Sequence, residues 1–142
     1  MIPKELTPDH LNLISQDTIL THLGISFTEI GENYITAKMP VNTNTSQPMG
    51  LLHGGASVTL AESIGSIGSY LMINKKEESA LGIEINANHV GSAYDGFVIG
   101  KGIIVHKGKT THIWNIEIRD EKEKLISLCR LTVMIIKKAS KK

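Results

Sequence analysis

The sequence has few of the features that mark disulfide-rich, nucleic-acid-binding or membrane proteins. Its 142 residues include one cysteine, Cys129, so no disulfide can form within the chain. The formal net charge of +1 argues against a nucleic-acid partner, which requires a clustered basic face. No apolar run is long enough to span a bilayer, and no apolar N-terminal stretch follows a basic segment. The sequence therefore predicts a cytoplasmic protein with neither a membrane nor a nucleic-acid partner.

Several familiar site patterns are missing as well. The six histidines have no metal-ligand spacing with the cysteine or with paired carboxylates, so the sequence predicts no metal and no other cofactor. Segment 65–68 has glycines at both ends, but it lies inside a predicted helix and not at a strand-to-helix turn, which excludes a dinucleotide loop. The Gly-x-Ser-x-Gly turn of serine hydrolases does not occur.

The composition is that of an ordinary globular domain. Apolar residues make up 41% of the chain and charged residues 20%, and the length suits one domain with its own core. We interpret residues 1–142 as a single domain. It has a helical N-terminal segment over 1–23 and a loose basic tail over 137–142.

The spacing of apolar residues and the turn signals predict two helices and six strands. The first helix follows Thr7 as its N-cap and stops at Gly24. The predicted elements are a helix over 9–24, strands over 25–31 and 33–40, a helix over 54–73, and strands over 81–90, 97–106, 111–120 and 125–136.

The order of these elements predicts the fold class. Four late strands follow one another without helices between them, which favours an antiparallel sheet in an α+β domain. The long helix carries an apolar stripe: Leu60, Ile64, Ile67 and Leu71. Strand 81–90 alternates, which predicts one set of residues on a common face: Leu81, Ile83, Ile85, Ala87 and His89. We expect a sheet curled round one long helix.

Glu62 is an unusual residue for that helix. At about 100° per residue it shares a face with three hydroxyl residues, Thr59, Ser66 and Ser69, opposite the apolar stripe. The face carries one charge and lacks the mixture of lysine and glutamate that is typical of a solvated surface. Such a setting suits a partly buried carboxylate whose reactivity the protein tunes.

The start of the same helix, His53-Gly54-Gly55, suits the binding of an anion. A helix N-terminus has unpaired backbone N–H groups and the positive end of the helix dipole. Glycine at 54 and 55 removes side chains that would keep a ligand away from these amides. An oxyanion that develops at this position would be stabilised.

The distance between these two features indicates a dimer. Gly55 and Glu62 are seven residues apart, roughly 10 Å along one helix. A nucleophile and an oxyanion donor must each lie about 3 Å from one reacting carbonyl group. Two helices antiparallel across a two-fold axis would bring Gly55 of one chain to Glu62 of the other. We therefore expect a dimer with shared active sites.

Several motifs together resemble a known family. They are the run GLLHGGASVTLAES, the strand GIEINANHV, the KGK turn and the closing RLTVMII. The sequence resembles the hotdog-fold thioesterases, most closely the acyl-CoA hydrolases that include 1,4-dihydroxy-2-naphthoyl-CoA thioesterase and the phenylacetate-degradation thioesterases. The resemblance covers about residues 20–136. It implies a hotdog fold and hydrolysis of an acyl-CoA, aromatic or medium-chain, to the free acid and coenzyme A.

The resemblance also implies roles for individual residues. Glu62 attacks the thioester carbonyl or activates water, and the amide of Gly55 donates to the oxyanion. Gln47 and His53 position the thioester, and Ser66 assists the water. Dimers of the family share sites across the central helices and often pair into tetramers. No cofactor is implied, since coenzyme A is part of the substrate.

The chain departs from the family pattern at Gly91, where close relatives place an arginine that can meet a phosphate of coenzyme A. Lys107 and Lys109, in the hairpin HKGKT, could supply the lost charge. We therefore count both lysines, with His89 and Ser69, as substrate-binding candidates. The departure leaves open whether coenzyme A or a carrier protein bears the thioester.

Each of these residues also has a structural interpretation. Glu62 could be capped by the serines, and His53 could be a turn residue bonded to the backbone. His89 shares its predicted face with apolar residues, which suits a core or pocket wall better than catalysis. Gln47 could reflect loop polarity, and Trp114 could belong to the core or edge the acyl pocket.

Four further candidates have equally simple explanations. Ser66 and Ser69 could be small residues that let helices approach closely, and Lys107 and Lys109 could be the solvated tip of a hairpin. Two other functions also suit the fold: a hydratase or dehydratase acting on acyl thioesters, and a non-catalytic acyl-CoA-binding protein. Glu62 favours hydrolysis over both. A hydratase or dehydratase would not direct this carboxylate at the thioester carbonyl, and a protein that only binds acyl-CoA would not need it.

Overall fold

The computed structural model describes residues 1–139 as three helices and six strands. The elements are α1 (Pro8–Ile14), α2 (Ile19–His22), β1 (Ser26–Ile30), β2 (Tyr34–Pro40), α3 (Gly54–Leu71), β3 (Glu78–His89), β4 (Phe97–Lys107), β5 (Thr111–Asp120) and β6 (Leu125–Lys137). None of the three helices in this part of the chain combines the length and the apolar content that a membrane crossing requires.

The strands form one six-stranded sheet in the order β1-β2-β4-β5-β6-β3. Every neighbouring pair is antiparallel. Helix α3 packs against strands β2 to β6, and α1 packs against β1. The predicted α+β architecture, an antiparallel sheet wrapped around one long helix, is confirmed.

The core lies between α3 and the inner face of the sheet, and glycines bring the two layers close together. Trp114 of β5 is fully buried. A Cβ atom at Gly65 would lie 3.2 Å from the indole ring, and one at Gly68 would lie 2.4 Å from it. Ile64 of α3 lies directly over Gly102 of β4, the strand next to β5. Because this interior is close-packed, each of these contacts depends on the absence of a side chain.

The predicted apolar stripe of α3 is confirmed, since all four of its residues contact the core. Leu60, Ile64 and Leu71 are buried in the core. Ile67 is partly buried: it packs against the core and also lines a pocket beside Glu62. Small residues complete the buried side of the helix, so that face is broader than the four residues indicate.

The N-terminal segment forms two short helices and not the single predicted one. Asp17 has a φ of 58°, in the left-handed region, and this ends the run of helical backbone after α1. Thr18 then caps α2 by accepting a hydrogen bond from the backbone of Leu20. Thr7 is the N-cap of α1 as predicted, and Gly24, with a φ of 70°, ends the segment as predicted.

Strand β3 begins at Glu78, three residues before its predicted start, and contains a bulge. The pairing shifts between Gly82 and Glu84, which leaves Ile83 without a partner and changes the alternation. Leu81 is therefore on the outer face, and both Leu81 and Ile83 are about half exposed. The predicted common face is wrong for these two residues.

Other predicted boundaries differ from the structure by one or two residues, including the ends of α3 and β6. Helix α3 ends at Leu71, two residues before the predicted end. The predicted loose tail includes Lys137, which belongs to β6, and Lys138, whose backbone N–H donates to the carbonyl of Glu77 at 2.7 Å. The rest of that predicted tail beyond Ala139 lies outside the described residues.

Candidate functional site

Glu62 lies at an open pocket of about 320 Å³ between α3 and the N-terminal helices. The α3 side contributes Glu62, Ser63, Ser66 and Ile67. The opposite side comes from the segment of α1 and α2, including Ile14 and Leu20. Glu62 and Ser66 are thus brought together as predicted, beside apolar side chains that could contact an acyl group.

The carboxylate of Glu62 is half-buried, and within residues 1–139 it makes no hydrogen bond or ion pair. The serines do not cap it: the hydroxyl of Ser63 instead donates to the carbonyl of Thr59 at 2.7 Å. The interpretation of Glu62 as a serine-capped structural residue therefore has no support in the structure. A half-buried carboxylate that makes no internal bond is free to contact a substrate or a water molecule.

Gly82 of β3, which is not among the site residues predicted from the sequence, makes room for this carboxylate. A Cβ atom at Gly82 would lie 2.6 Å from Oε1 of Glu62 and 3.6 Å from Oγ of Ser66. Any side chain here would therefore displace Glu62. Its signal was available, because a glycine inside an alternating strand often marks the close approach of another group.

The N-terminus of α3 is capped by His53. The Nδ1 atom of His53 accepts a hydrogen bond from the backbone N–H of Gly55 at 2.8 Å. The amide predicted to donate to an oxyanion is therefore already paired in this structure. His53 is exposed, so its ring has room to rotate away from Gly55. The turn-residue interpretation of His53 describes the geometry seen here.

His89 also lies at this helix end. A Cβ atom at Gly54 would lie 2.7 Å from Nε2 of His89, so the imidazole packs directly on the helix start. Its Nδ1 atom is 3.1 Å from Oγ of Ser127. Of the two interpretations, a pocket-wall histidine with its own hydrogen bond fits this position better than a core residue, because the side chain is exposed.

Gln47 lies in the loop before α3 with its side chain oriented by the backbone. Its Oε1 atom accepts a hydrogen bond from the N–H of Met49 at 2.6 Å. The amide nitrogen of Gln47 is consequently left as a donor. Buried Thr45 holds the loop: its hydroxyl donates to the carbonyl of Pro40, and its own carbonyl accepts from the N–H of His53.

Ser69 does not lie in the site. It is fully buried, and its Oγ accepts a hydrogen bond from Nε1 of Trp114 at 2.9 Å. Ser69 shares the helical direction of Glu62 but lies two turns further along, where the indole covers it. The prediction of substrate contact at Ser69 is wrong, and the interpretation of Trp114 as a core residue agrees with the structure.

Lys107 and Lys109 lie at a second pocket, of about 260 Å³, near the C-terminal end of α3. Met72 and the buried His112 also line it. The two lysines therefore do not lie beside Glu62 of the same chain. At Gly91, where close relatives have an arginine, no side chain fits without backbone movement, because a Cβ atom would lie 2.4 Å from the carbonyl oxygen of Leu125.

His112 is the most deeply buried titratable group at this second pocket. It is 2% exposed, and its Nδ1 atom has no hydrogen-bond partner within the described chain. Desolvation by burial lowers the pKa of His112, and the charges of Lys107 and His106 lower it further, against a smaller opposing effect of Glu78. The folded protein thus favours the neutral imidazole.

Stability should therefore decrease at mildly acidic pH. The unfolded chain binds a proton at His112 near pH 6.5 and the folded chain does so only at lower pH, so the free energy of unfolding falls as the pH drops below about 6.5. One such group contributes at most about 1.4 kcal/mol per pH unit. Urea unfolding at pH 7.5 and 5.5 should show that the free energy of unfolding depends less on pH in His112→Leu than in the control His22→Leu, which replaces an exposed histidine that does not affect the pKa of His112. Equal slopes would contradict this assignment.

Comparison with known proteins places this fold and site in one family. The model of the Thioesterase superfamily matches residues 49–127. The 1,4-dihydroxy-2-naphthoyl-CoA hydrolase of Escherichia coli is 46% identical over 133 residues, covering 94% of this chain and 97% of that protein. A mutant thioesterase of Pseudomonas aeruginosa superposes with a TM-score of 0.94 at 37% identity, covering 96% of this chain and 99% of that one.

A thioesterase of Haemophilus influenzae superposes with a TM-score of 0.91 at 38% identity, over 96% of this chain and 94% of that one. The family model covers more than half of the chain, and these relatives extend over nearly all of it. The predicted hotdog fold and the predicted thioester hydrolase are confirmed. The chain belongs to the thioesterase superfamily and is a thioester hydrolase of the hotdog fold.

Proposed function

We propose that the protein hydrolyses an acyl-CoA with an aromatic or medium-chain acyl group, and that Glu62 is the reacting carboxylate. One observation carries the assignment of Glu62: its half-buried carboxylate lies over Gly82 in a partly apolar pocket and makes no hydrogen bond to any group of residues 1–139. The acyl-CoA substrate is supported by the Escherichia coli relative, whose name is 1,4-dihydroxy-2-naphthoyl-CoA hydrolase.

Two routes use this carboxylate. In the first, an oxygen of Glu62 attacks the thioester carbonyl carbon, the C–S bond breaks, and water then hydrolyses the acyl-glutamyl anhydride. In the second, Glu62 removes a proton from water as the water attacks the same carbon. Either route gives the carboxylic acid and the thiol of coenzyme A, and neither needs a metal or another cofactor. Ser66 lines the same pocket, and we assign its hydroxyl to bind the water.

The oxyanion would form at the N-terminus of α3. His53 must then release the amide of Gly55, and an exposed imidazole can do so at the cost of one hydrogen bond. The thioester oxygen takes the place of Nδ1, and the free amide nitrogen of Gln47 can donate from the preceding loop. His89, packed on Gly54, contributes to the wall.

The site would be completed by a second copy of the chain. One helix separates Gly55 from Glu62 by roughly 10 Å, which is too far for both to act on one carbonyl. Strand β3 is an edge strand of the sheet, and its Leu81 and Ile83 are 49% and 55% exposed. Such an edge favours pairing with a second chain. We propose a dimer with two shared sites, and pairing of dimers into a tetramer.

Mixing two inactive variants tests the shared site. Glu62→Gln removes the carboxylate. Gly55→Pro removes the amide proton in the first helical turn, where proline is tolerated. Each variant alone should be inactive. Subunits exchanged at equal amounts should regain about a quarter of wild-type activity, because half of the dimers are mixed and one of their two sites is intact. A mixture that stays inactive although mass spectrometry shows mixed dimers would contradict the shared site.

Free-thiol release from a panel of acyl-CoAs tests the function itself. The panel contains 1,4-dihydroxy-2-naphthoyl-CoA, benzoyl-CoA, octanoyl-CoA, acetyl-CoA and one acyl carrier protein thioester. Turnover of an aromatic or medium-chain acyl-CoA is expected. Turnover of the carrier-protein thioester alone would overturn the assignment to coenzyme A. The cytoplasmic location remains a prediction.

A further inference from the structure

We propose that the N-terminal helical segment, formed by α1, α2 and their connection, is a wall of the acyl pocket and that Ile14 and Leu20 select the acyl group. This inference rests on the proposed function, because it assumes that the carbonyl of the substrate lies at Glu62. It adds a specificity-determining element to that reaction.

The placement of the wall follows from the pocket at Glu62. Ile14, the last residue of α1, and Leu20 of α2 face this pocket from the side opposite α3. On the α3 side, Ile67 lies near Glu62, one helical turn and a half further along. An acyl group that extends from a carbonyl at Glu62 therefore passes between apolar side chains of both elements.

The wall is fixed to the rest of the fold, so it can select by shape. Leu11 anchors α1 in the core and is 1% exposed. The side chain of Asn12 makes two hydrogen bonds with the backbone of Phe27 in β1. Its Nδ2 donates to the carbonyl at 3.0 Å, and its Oδ1 accepts from the N–H at 2.8 Å. The hydroxyl of Thr18 donates to the carbonyl of Ser15 and closes the connection between the helices.

The size of the pocket indicates which acyl groups fit. Its volume is about 320 Å³. An apolar cavity of about 150 Å³ is enough to hold benzene. The pocket thus has room for an aryl group of two fused rings, and a two-carbon acyl group would leave most of the wall without contact. Both wall residues, Ile14 and Leu20, lie outside residues 49–127, the region that matches the family model.

Substitutions at Ile14 test the wall, with Leu13 as a matched control. The two residues are neighbours on α1 and are similarly exposed, 58% and 63%, but only Ile14 lines the pocket. Ile14→Trp should lower kcat/KM for 2-naphthoyl-CoA about tenfold or more, because the indole takes up the space of the second ring. The value for acetyl-CoA should change less than about twofold. Leu13→Trp should leave both values within about twofold of wild type.

The result would overturn the inference if the Ile14 and Leu13 variants had the same ratio of kcat/KM for the two substrates. Failure of the proposed function is distinguishable from this outcome, since the wild type would then hydrolyse neither thioester. In that event, titration calorimetry with 2-naphthoate still tests the wall. Binding that is at least tenfold weaker in Ile14→Trp than in Leu13→Trp supports it. Equal affinity, or no binding to the wild type, overturns it.

Discussion

Replacing Glu62 by glutamine should lower kcat for every hydrolysed acyl-CoA by about a hundredfold or more. Glutamine keeps the size of the side chain but is neither a nucleophile towards a thioester nor a base for water. Because Glu62 makes no hydrogen bond within the described chain, its replacement should leave the free energy of unfolding nearly unchanged. A variant that loses activity and keeps its stability is the expected result.

A thiol reagent measures this loss without interference from the protein. Cys129, the one cysteine, is buried, and burial raises the pKa of its thiol, so it reacts slowly in the folded state. Glu77→Gln, which changes an exposed carboxylate directly before β3, is the matched control and should keep wild-type kcat. If Glu62→Gln turned over acyl-CoA like this control, Glu62 would not be the reacting group.

The sequence was sufficient for most of the fold because the fold repeats simple local patterns. The run from Gly54 to Leu71 has a glycine start and an apolar face, and strands β4, β5 and β6 alternate between buried and exposed residues. Regular alternation of this kind, with turns at short intervals, predicts β-strands. The order of elements then leaves an antiparallel sheet around the helix as the natural arrangement.

The errors occur where one residue changes the backbone geometry. Asp17 adopts a left-handed conformation that apolar spacing does not reveal, and it divides the predicted N-terminal helix. Ile83 is the extra residue of a bulge, so the alternation that placed Leu81 on the inner face reverses there. In both segments the spacing of apolar residues stays regular along the sequence, although the backbone departs from regular geometry.

The site was predictable only in part, for a related reason. The roles of Glu62 and His53 could be proposed because both are local to one helix and its start. The residues missed, Gly82, Ile14 and Leu20, reach the site from distant parts of the chain. Nothing local distinguishes Ile14 and Leu20 as site residues, and the glycine inside an alternating strand at Gly82 indicates a close approach without indicating which group approaches. Ser69 shows the opposite error, since the helical spacing is correct and a distant tryptophan covers the residue.

Gly82→Ala should remove activity while leaving the fold intact. The added Cβ atom would lie 2.6 Å from Oε1 of Glu62, which is the far end of a flexible side chain, so the carboxylate moves and the backbone does not. A displacement of about 1 Å in a reacting group can cost about a hundredfold in rate, and we expect a loss of that order in kcat. The free energy of unfolding, measured with urea, should change by less than about 0.5 kcal/mol, because replacing glycine by alanine within a strand has only a small effect on stability.

Gly68→Ala is the informative control, because the same added atom meets a group that cannot move. Its Cβ would lie 2.4 Å from the ring of Trp114, which is fully buried and bonded to Ser69. We expect a loss of about 1–3 kcal/mol in the free energy of unfolding and a much smaller change in kcat per folded molecule. The two alanines thus separate the position of the carboxylate from the stability of the core. If Gly82→Ala instead lost stability and kept its kcat, the room under Glu62 would serve packing, and the assignment of Gly82 to the active site would be wrong.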